Sequence, residues 1–266
     1  MYDFHLHSEY SIDSKTSMED MVLGAIKNNM KSICFTDHVD FDSTSQRIDF
    51  VFRVSDYFRN IKQVKYKYMN QIEILAGVEI GIQPHLFEKY ERFVEDNAFD
   101  FVLMSIHSVN KLDIHADGFT IGINPLDAID QYYSDMQLCV KNFSNFDVLG
   151  HLDYIDRYFK DYSTIPKFDE YYHLVADVLR LLIDNGKGIE INTAGLRYGL
   201  GYFHPKMQIL KLYKELGGEI ITIGSDSHSP ENIGYEYKNV EKILRDLGFK
   251  YIYIFKERKK FPINIT

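Results

Sequence analysis

The sequence predicts an α/β chain whose mainly parallel sheet is wrapped by helices and closed, or nearly closed, into a barrel. Two observations point there. Short strand-like runs recur along the whole chain and alternate with helical stretches, as parallel strands joined by helical crossovers require. The longest irregular stretches, residues 39–49, 110–124, 153–166 and 196–203, each follow a strand-like run. In a β/α barrel such loops form the face where chemistry happens. No linker, low-complexity segment or short repeat interrupts the pattern, so residues 1–266 read as a single domain.

Taken in order, strand-like runs fall at 3–7, 32–38, 72–80, 101–109, 147–152, 188–194, 219–228 and 251–256. The first helix runs to about Met30, capped by Ser17 with Asp20 at the third helical position. Residues 50–68 read as a long helix, followed by 84–96 and by 125–143 with Pro125 in the first turn. Helices over 167–185, 204–216 and 231–247 stop at Gly186, Gly217 and Gly248, since a glycine just past the last turn is the usual terminator. The run 256–260, Lys-Glu-Arg-Lys-Lys, reads as a solvated tail.

Bulk properties exclude several classes. With 30 Lys+Arg against 39 Asp+Glu the net charge is −9, a poor match to a polyanionic nucleic acid. A small anionic substrate is compatible if metal ions supply positive charge locally. Cys34 and Cys139 are the only cysteines and read as free thiols. No basic-then-apolar leader and no apolar stretch of about 20 residues is visible, so a cytoplasmic location with no membrane partner is expected. The oligomeric state is not legible.

The run Asp3-Phe4-His5-Leu6-His7 alternates, which in a strand puts His5 and His7 on one face and Phe4 and Leu6 on the other, packed on helices. Two imidazoles one pleat apart suit a metal ion. A lone strand-end histidine is more often a hydrogen-bonded core residue. Here, however, Asp13, His38, Glu79, His107, His151, Asp226 and His228 all fall at, or just after, the C-terminal ends of successive strand-like runs. Packing gives no reason for this crowd of charged and imidazole groups, whereas a multinuclear metal site explains the set.

Together the motifs His5-x-His7, Thr36-Asp37-His38, Gly77-Val78-Glu79, His107, Gly150-His151 and Ser225-Asp226-x-His228 resemble the ordered motifs of the PHP (polymerase and histidinol phosphatase) superfamily across nearly the whole chain. The stretches Ile191-Asn192-Thr193-Ala194-Gly195-Leu196-Arg197 and Asp226-Ser227-His228-Ser229-Pro230-Glu231 resemble its histidinol-phosphatase branch. The resemblance implies a distorted (β/α)7 barrel with the metal site at the C-terminal ends of the strands and two to three divalent ions (Mn, Fe or Zn). Carried over position by position, His5, His7, Glu79 and Asp226 hold the first ion. Glu79, His107 and His151 hold the second, with Glu79 bridging. Asp13, His38 and His228 hold the third. Asp13 departs from the pattern, since several relatives carry His there, and a carboxylate favours harder ions.

The implied activity is hydrolysis of L-histidinol phosphate, a small phosphomonoester, to L-histidinol and inorganic phosphate in histidine biosynthesis. Glu79 and Asp226 are catalytic through the metals. The leaving alkoxide needs a proton, for which Asp153 and a metal-bound water are the candidates. Arg157 and Arg197, in loops after strand ends, suit phosphate oxygens. Asn192 is a candidate to orient Arg197 or touch substrate, and Tyr198 and Tyr202 to wall the pocket. Asp40, Asp42 and Glu9 are candidates to recognise the imidazole and amine. His85, His115, His173 and His204 fit no ligand position and read as structural or exposed. Competing readings are a PHP-type phosphodiesterase or exonuclease, which wants a basic groove; a phosphatase for another small phosphomonoester; a C–N hydrolase, which often bridges its metals with a modified lysine; and a non-catalytic metal-bound module, which needs no phosphate-binding arginines.

Overall fold

The computed structural model describes residues 1–266. In chain order, β1 (Tyr2–Leu6) is followed by α1 (Met18–Lys27), β2 (Ser32–Phe35), and a hairpin of β3 (His38–Ser43) and β4 (Ile48–Val51). Then come α2 (Val54–Tyr68), β5 (Glu73–Gly81), α3 (Phe87–Glu95), β6 (Phe101–Ser105), and a small hairpin of β7 (Ser108–Val109) and β8 (Leu112–Asp113). The second half carries α4 (Pro125–Asn142), β9 (Val148–Leu149), α5 (Phe168–Asp184), β10 (Gly188–Asn192), a short α6 (Ala194–Arg197), α7 (Met207–Glu215), β11 (Ile221–Gly224), α8 (Tyr237–Asp246), and a final hairpin of β12 (Tyr251–Lys256) and β13 (Lys259–Asn264).

Seven strands pair in parallel in the order β1-β2-β5-β6-β9-β10-β11. The ring is nearly closed just beyond β11, where His7 N–H donates to Ser227 O at 2.9 Å and Asp226 N–H donates to His5 O at 2.9 Å. The expected (β/α)7 architecture is therefore present.

Side chains alternate between the helices outside and the barrel interior. Val102 and Met104 join the large outer core, and Phe101 and Leu103 a small inner cluster with Phe4, Cys34, Leu75 and Val148. Tyr57 of α2 is fully buried and donates to Phe35 O and Gly77 O at 3.2 and 2.9 Å, so its hydroxyl enters the core satisfied. No helix is long and apolar enough to cross a membrane.

Ser17 accepts from Asp20 N–H at the start of α1, and Pro125 opens α4, both as the sequence predicts. Other expectations need correction. Residues 39–49 are not an irregular loop: most of them form β3 and β4, an antiparallel arm, and α2 begins only at Val54. α7 starts at Met207, because His204 makes an antiparallel bridge with Asn192. α8 starts at Tyr237 after a separate turn over Pro230–Asn232. Phe4 and Leu6 do not share a face. Asp3 pairs with Ile33 and Leu6 with Phe35, so β1 holds one extra residue between them. This bulge lets Phe4 and His5, neighbours in sequence, both serve the interior.

The run 256–260 is not a solvated tail. It is the tight turn of β12–β13, which lies across the base of the barrel, with Ile254 and Phe255 in the inner cluster. Arg258 Nε donates to Asp147 Oδ2 at 2.6 Å and Nη1 to Asn145 Oδ1 at 3.1 Å. Asp147 is 8% exposed and also accepts Val102 N–H at 2.8 Å. Arg258→Ala is expected to lower stability by about 1–3 kcal/mol, the cost of taking the cationic partner from a largely buried carboxylate. Because Arg258 sits at the base, activity per folded molecule should be unchanged, as thermal denaturation read beside an enzyme assay would establish.

Candidate metal centre

Glu79 lies at the centre of the upper barrel with no solvent exposure. On β5 it follows Leu75 and Gly77 on the inner face, so the apolar stack of the barrel ends in a carboxylate. Around it are His38 Nδ1 at 3.0 Å and His5 Nε2 at 3.1 Å from Oε2, and His151 Nε2 at 2.9 Å and His107 Nε2 at 3.3 Å from Oε1. His7 Nε2 is 3.6 Å from Oε2 and 3.4 Å from Asp226 Oδ1. Burial opposes charge on Glu79, but His5, His38 and His107 hold its pKa well below the ordinary carboxylate value. Asp226 is likewise held low against burial, chiefly by His5, with His7, Arg157 and His228 adding to it.

Outer groups aim these rings. His5 Nδ1 meets Glu190 Oε1 at 2.7 Å, and His107 Nδ1 meets Asp40 Oδ1 at 2.7 Å. A carboxylate takes the Nδ1 proton and so turns Nε2 inward, where it would serve a metal ion once its own proton is displaced. His7 achieves the same through a hydroxyl. Ser11 Oγ donates to Asp37 Oδ1 at 2.8 Å, so it accepts from His7 Nδ1 at 2.9 Å, and His7 Nε2 carries a lone pair. Burial, with His228 and His38 beside it, pushes the His7 pKa down to about 3. Burial raises Asp37 to about 6 against the hydrogen bonds it accepts from Ser8 and Ser11.

The donor atoms fall into compact groups: His5, His7 and Glu79; His5, His151 and Asp226; His38, Glu79 and His107; and His7, Asp13, His38 and His228. The structure thus brings together all nine residues expected from the sequence as ligands. The grouping differs in detail, because His38 stands between the second and third sets and His151 also joins His5 and Asp226. Divalent metal ions fit this site. His7 Nε2 is buried without a hydrogen-bond partner, and neutral imidazoles and carboxylates are the donors such ions take. Two glycines make room. A Cβ on Gly81 would collide with Asp40 Oδ1 and His107 Nδ1, and one on Gly224 with Glu190 Oε1 and the His5 Cβ.

The centre opens into a cavity of about 400 Å³ lined by Asp13, His38, Glu79, His107, His115, His151, Tyr154, Arg157, Tyr158, Tyr198, Asp226 and His228. An adjoining recess shares Asp13, His38, His107, His115 and Tyr154 with it. Arg157 faces this space. Arg197 instead donates Nη2 to the Asp226 carbonyl at 2.9 Å, with its buried Nη1 unpartnered. Asn192 neither orients Arg197 nor reaches the cavity. It is fully buried, its Oδ1 accepts Ala194 N–H at 2.9 Å, and its Nδ2 lies 3.2 Å from Glu190.

Asp153 is misplaced for the proton-donor role expected of it. It is fully buried, outside the cavity, and bonded to His204 Nδ1 at 2.6 Å and Lys206 N–H at 2.8 Å. Burial works to raise its pKa, yet His204 and Lys206 hold it below the ordinary value, so it remains a carboxylate. Asp40 orients His107 and lines the recess; Asp42 pairs with His85 at 2.7 Å, and Glu9 accepts the first N–H of α1. Tyr198 walls the cavity, whereas Tyr202 donates to Asp156 at 2.8 Å. His115 is the cavity imidazole outside the donor groups.

The sequence reading missed Glu190 altogether. Its signal was available: in Gly188-Ile189-Glu190-Ile191-Asn192 a lone carboxylate alternates with branched apolar residues, as Glu79 does on β5.

The model of the PHP domain family matches residues 3–194. The chain belongs to the PHP family. Among relatives similar along their full length, the probable histidinol-phosphatase of Clostridium acetobutylicum is 32% identical, over 98% of this chain and 99% of its own. The histidinol-phosphatase of Lactococcus lactis is 30% identical, over 97% of this chain and 95% of its own. A crystal structure of histidinol phosphate phosphatase from Lactococcus lactis, complexed with zinc, L-histidinol and phosphate, superposes with a TM-score of 0.88. It shares 29% identity and covers 98% of each chain.

Within this PHP barrel, Glu79→Gln should abolish tight metal binding, since it removes the charge that the surrounding donor groups share. Elemental analysis after gel filtration reads the loss. Glu190 belongs to no donor group, and Glu190→Ala should weaken metal affinity roughly 10- to 100-fold, the usual effect of removing the partner that orients a ligand. Competition with a chromophoric chelator measures it.

Proposed function

We propose that the chain is a divalent-metal-dependent phosphomonoesterase that hydrolyses L-histidinol phosphate to L-histidinol and inorganic phosphate. The observation that carries the reading is full-length similarity to histidinol-phosphatases together with a nine-residue donor set, seven members of which line one cavity beside Arg157. Two to three ions, Mn, Fe or Zn, are held by the groups around Glu79, Asp226 and His228. When bound they neutralise phosphate oxygens and acidify water.

The protein's own residues do the rest. Glu79 and Asp226 keep the donor set anionic. Arg157 binds a phosphate oxygen from the cavity wall. Its charge is secure, because Asp226 together with Tyr154, Tyr158 and Tyr198 outweighs burial and raises its pKa above the ordinary guanidinium value. Tyr154, Tyr158 and Tyr198 wall the ester and keep bulk water from it. Asp40 and His115 border the recess where the imidazole and amine of the substrate fit. The net charge of −9 disfavours a long polyanion in this mouth.

Steady-state hydrolysis of histidinol phosphate, other phosphomonoesters, a dinucleotide and an acyl amide at matched metal loading tests the assignment. Failure of metal-loaded protein to cleave histidinol phosphate would overturn it. Arg157→Met should lower kcat/KM roughly 30-fold to several-thousand-fold, since a desolvated charged contact is worth about 2–5 kcal/mol. Arg197→Met should cost less, because Arg197 spends one donor on a backbone carbonyl. Kinetics beside metal content separates the two.

A further inference from the structure

Arg157 is held by four groups. Its guanidinium carbon lies 4.9 Å from the Tyr154 ring centroid and 4.3 Å from that of Tyr198. Nη2 donates to Asp226 Oδ2 at 3.0 Å. Nε donates to Nε2 of His204 at 3.1 Å. An imidazole nitrogen that accepts a hydrogen bond carries no proton. The His204 proton is therefore on Nδ1, where it meets Asp153 Oδ1 at 2.6 Å.

Asp153 cannot turn away, because its Oδ2 accepts Lys206 N–H at 2.8 Å. The His204 backbone is pinned as well, exchanging hydrogen bonds of 2.6 and 2.9 Å with Asn192 at the end of β10. His204 and Asp153 have no solvent exposure, and neither belongs to a donor group or lines the cavity.

We propose that Asp153 and His204 are positioning residues that act on the substrate through Arg157. The carboxylate fixes one neutral tautomer, and the imidazole lone pair claims the Nε–H of the guanidinium. The alternative available to an unrestrained arginine beside Asp226 is a two-pronged pair with that carboxylate, the geometry such pairs favour. By holding Nε, His204 blocks the side-on form of that pair, Nε with Nη2, and leaves Nη1 and the second Nη2–H of Arg157 for a phosphate oxygen. This inference rests on the phosphatase reading for its substrate but not for its geometry.

The test is a double-mutant cycle on metal-loaded protein. Wild type, Arg157→Met, His204→Phe and the double variant are compared for kcat/KM on histidinol phosphate and for affinity toward inorganic phosphate by calorimetry, with metal content checked in each. His204→Phe should lose roughly 10- to 100-fold in both readouts, the value of a hydrogen bond to a charged group. The double variant should be no worse than Arg157→Met. His204→Gln, whose amide oxygen can accept from Nε, should recover part of the loss.

Nitrogen-15 NMR of wild-type histidines, with His204 assigned by its absence in His204→Gln, should show Nδ1 protonated and Nε2 bare. That readout stands even if His204→Phe fails to fold. A full His204→Phe loss in the Arg157→Met background, or a protonated Nε2, overturns the proposal. Phosphate affinity weakened by His204→Phe in a wild type that does not cleave histidinol phosphate supports the positioning role and removes only that substrate.

Discussion

A carboxylate buried without water is the constraint on which the upper barrel depends. Glu79 is stable as an anion only if positive charge faces it, and the rings of His5, His38 and His107 supply it, with the His7 and His151 rings completing the shell. Those rings are costly to bury as well, and each must present a chosen nitrogen. Glu190, Asp40 and the Ser11–Asp37 pair meet that need from outside. The result is a layered charge arrangement: anion at the centre, rings around it, and acceptors behind the rings. The ring positions are therefore set in advance, and divalent ions would replace the protons that the inward nitrogens of His5 and His107 share with Glu79.

The sequence carried most of the donor set because strand periodicity and strand ends are local properties. Alternation around Glu79 and the placement of His107, His151 and Asp226 are visible without tertiary information. What was missed depends on partners distant in sequence. Asp153 looked like an acid in an active-site loop, and only its pairing with His204, some fifty residues on, turns it away from the cavity. His204 looked structural for want of a ligand position, and it is the contact to Arg157 that gives it a role. The 256–260 run was misread because its charge suggested solvent, whereas Asp147, unpaired in sequence, is the partner that anchors it. The bulge in β1 was hidden because pairing register cannot be read from one strand alone.

The barrel divides its labour along its axis. At the base, Phe4, Cys34, Leu75, Phe101 and Val148 fill the interior, and Ile254 and Phe255 close it from below. One turn higher the same inner face carries imidazoles and carboxylates. The transition is abrupt on β1, where the extra residue places an aromatic ring and a histidine in successive inward positions. Changes at the base therefore act on folding, and changes at the top on chemistry.

Gly81 and Gly224 extend that division to evolutionary drift. Replacing glycine by alanine adds one methyl group, ordinarily a mild event on a surface. At these two positions the methyl would occupy the space of the carboxylates that aim His107 and His5. Neither glycine carries a reactive atom, so a comparison of lineages that tracked only acids and imidazoles would pass over both. Empty volume at Gly81 and Gly224 is thus as much a part of the centre as its ligands, and a variant that fills it should lose the ring orientation without losing a single donor.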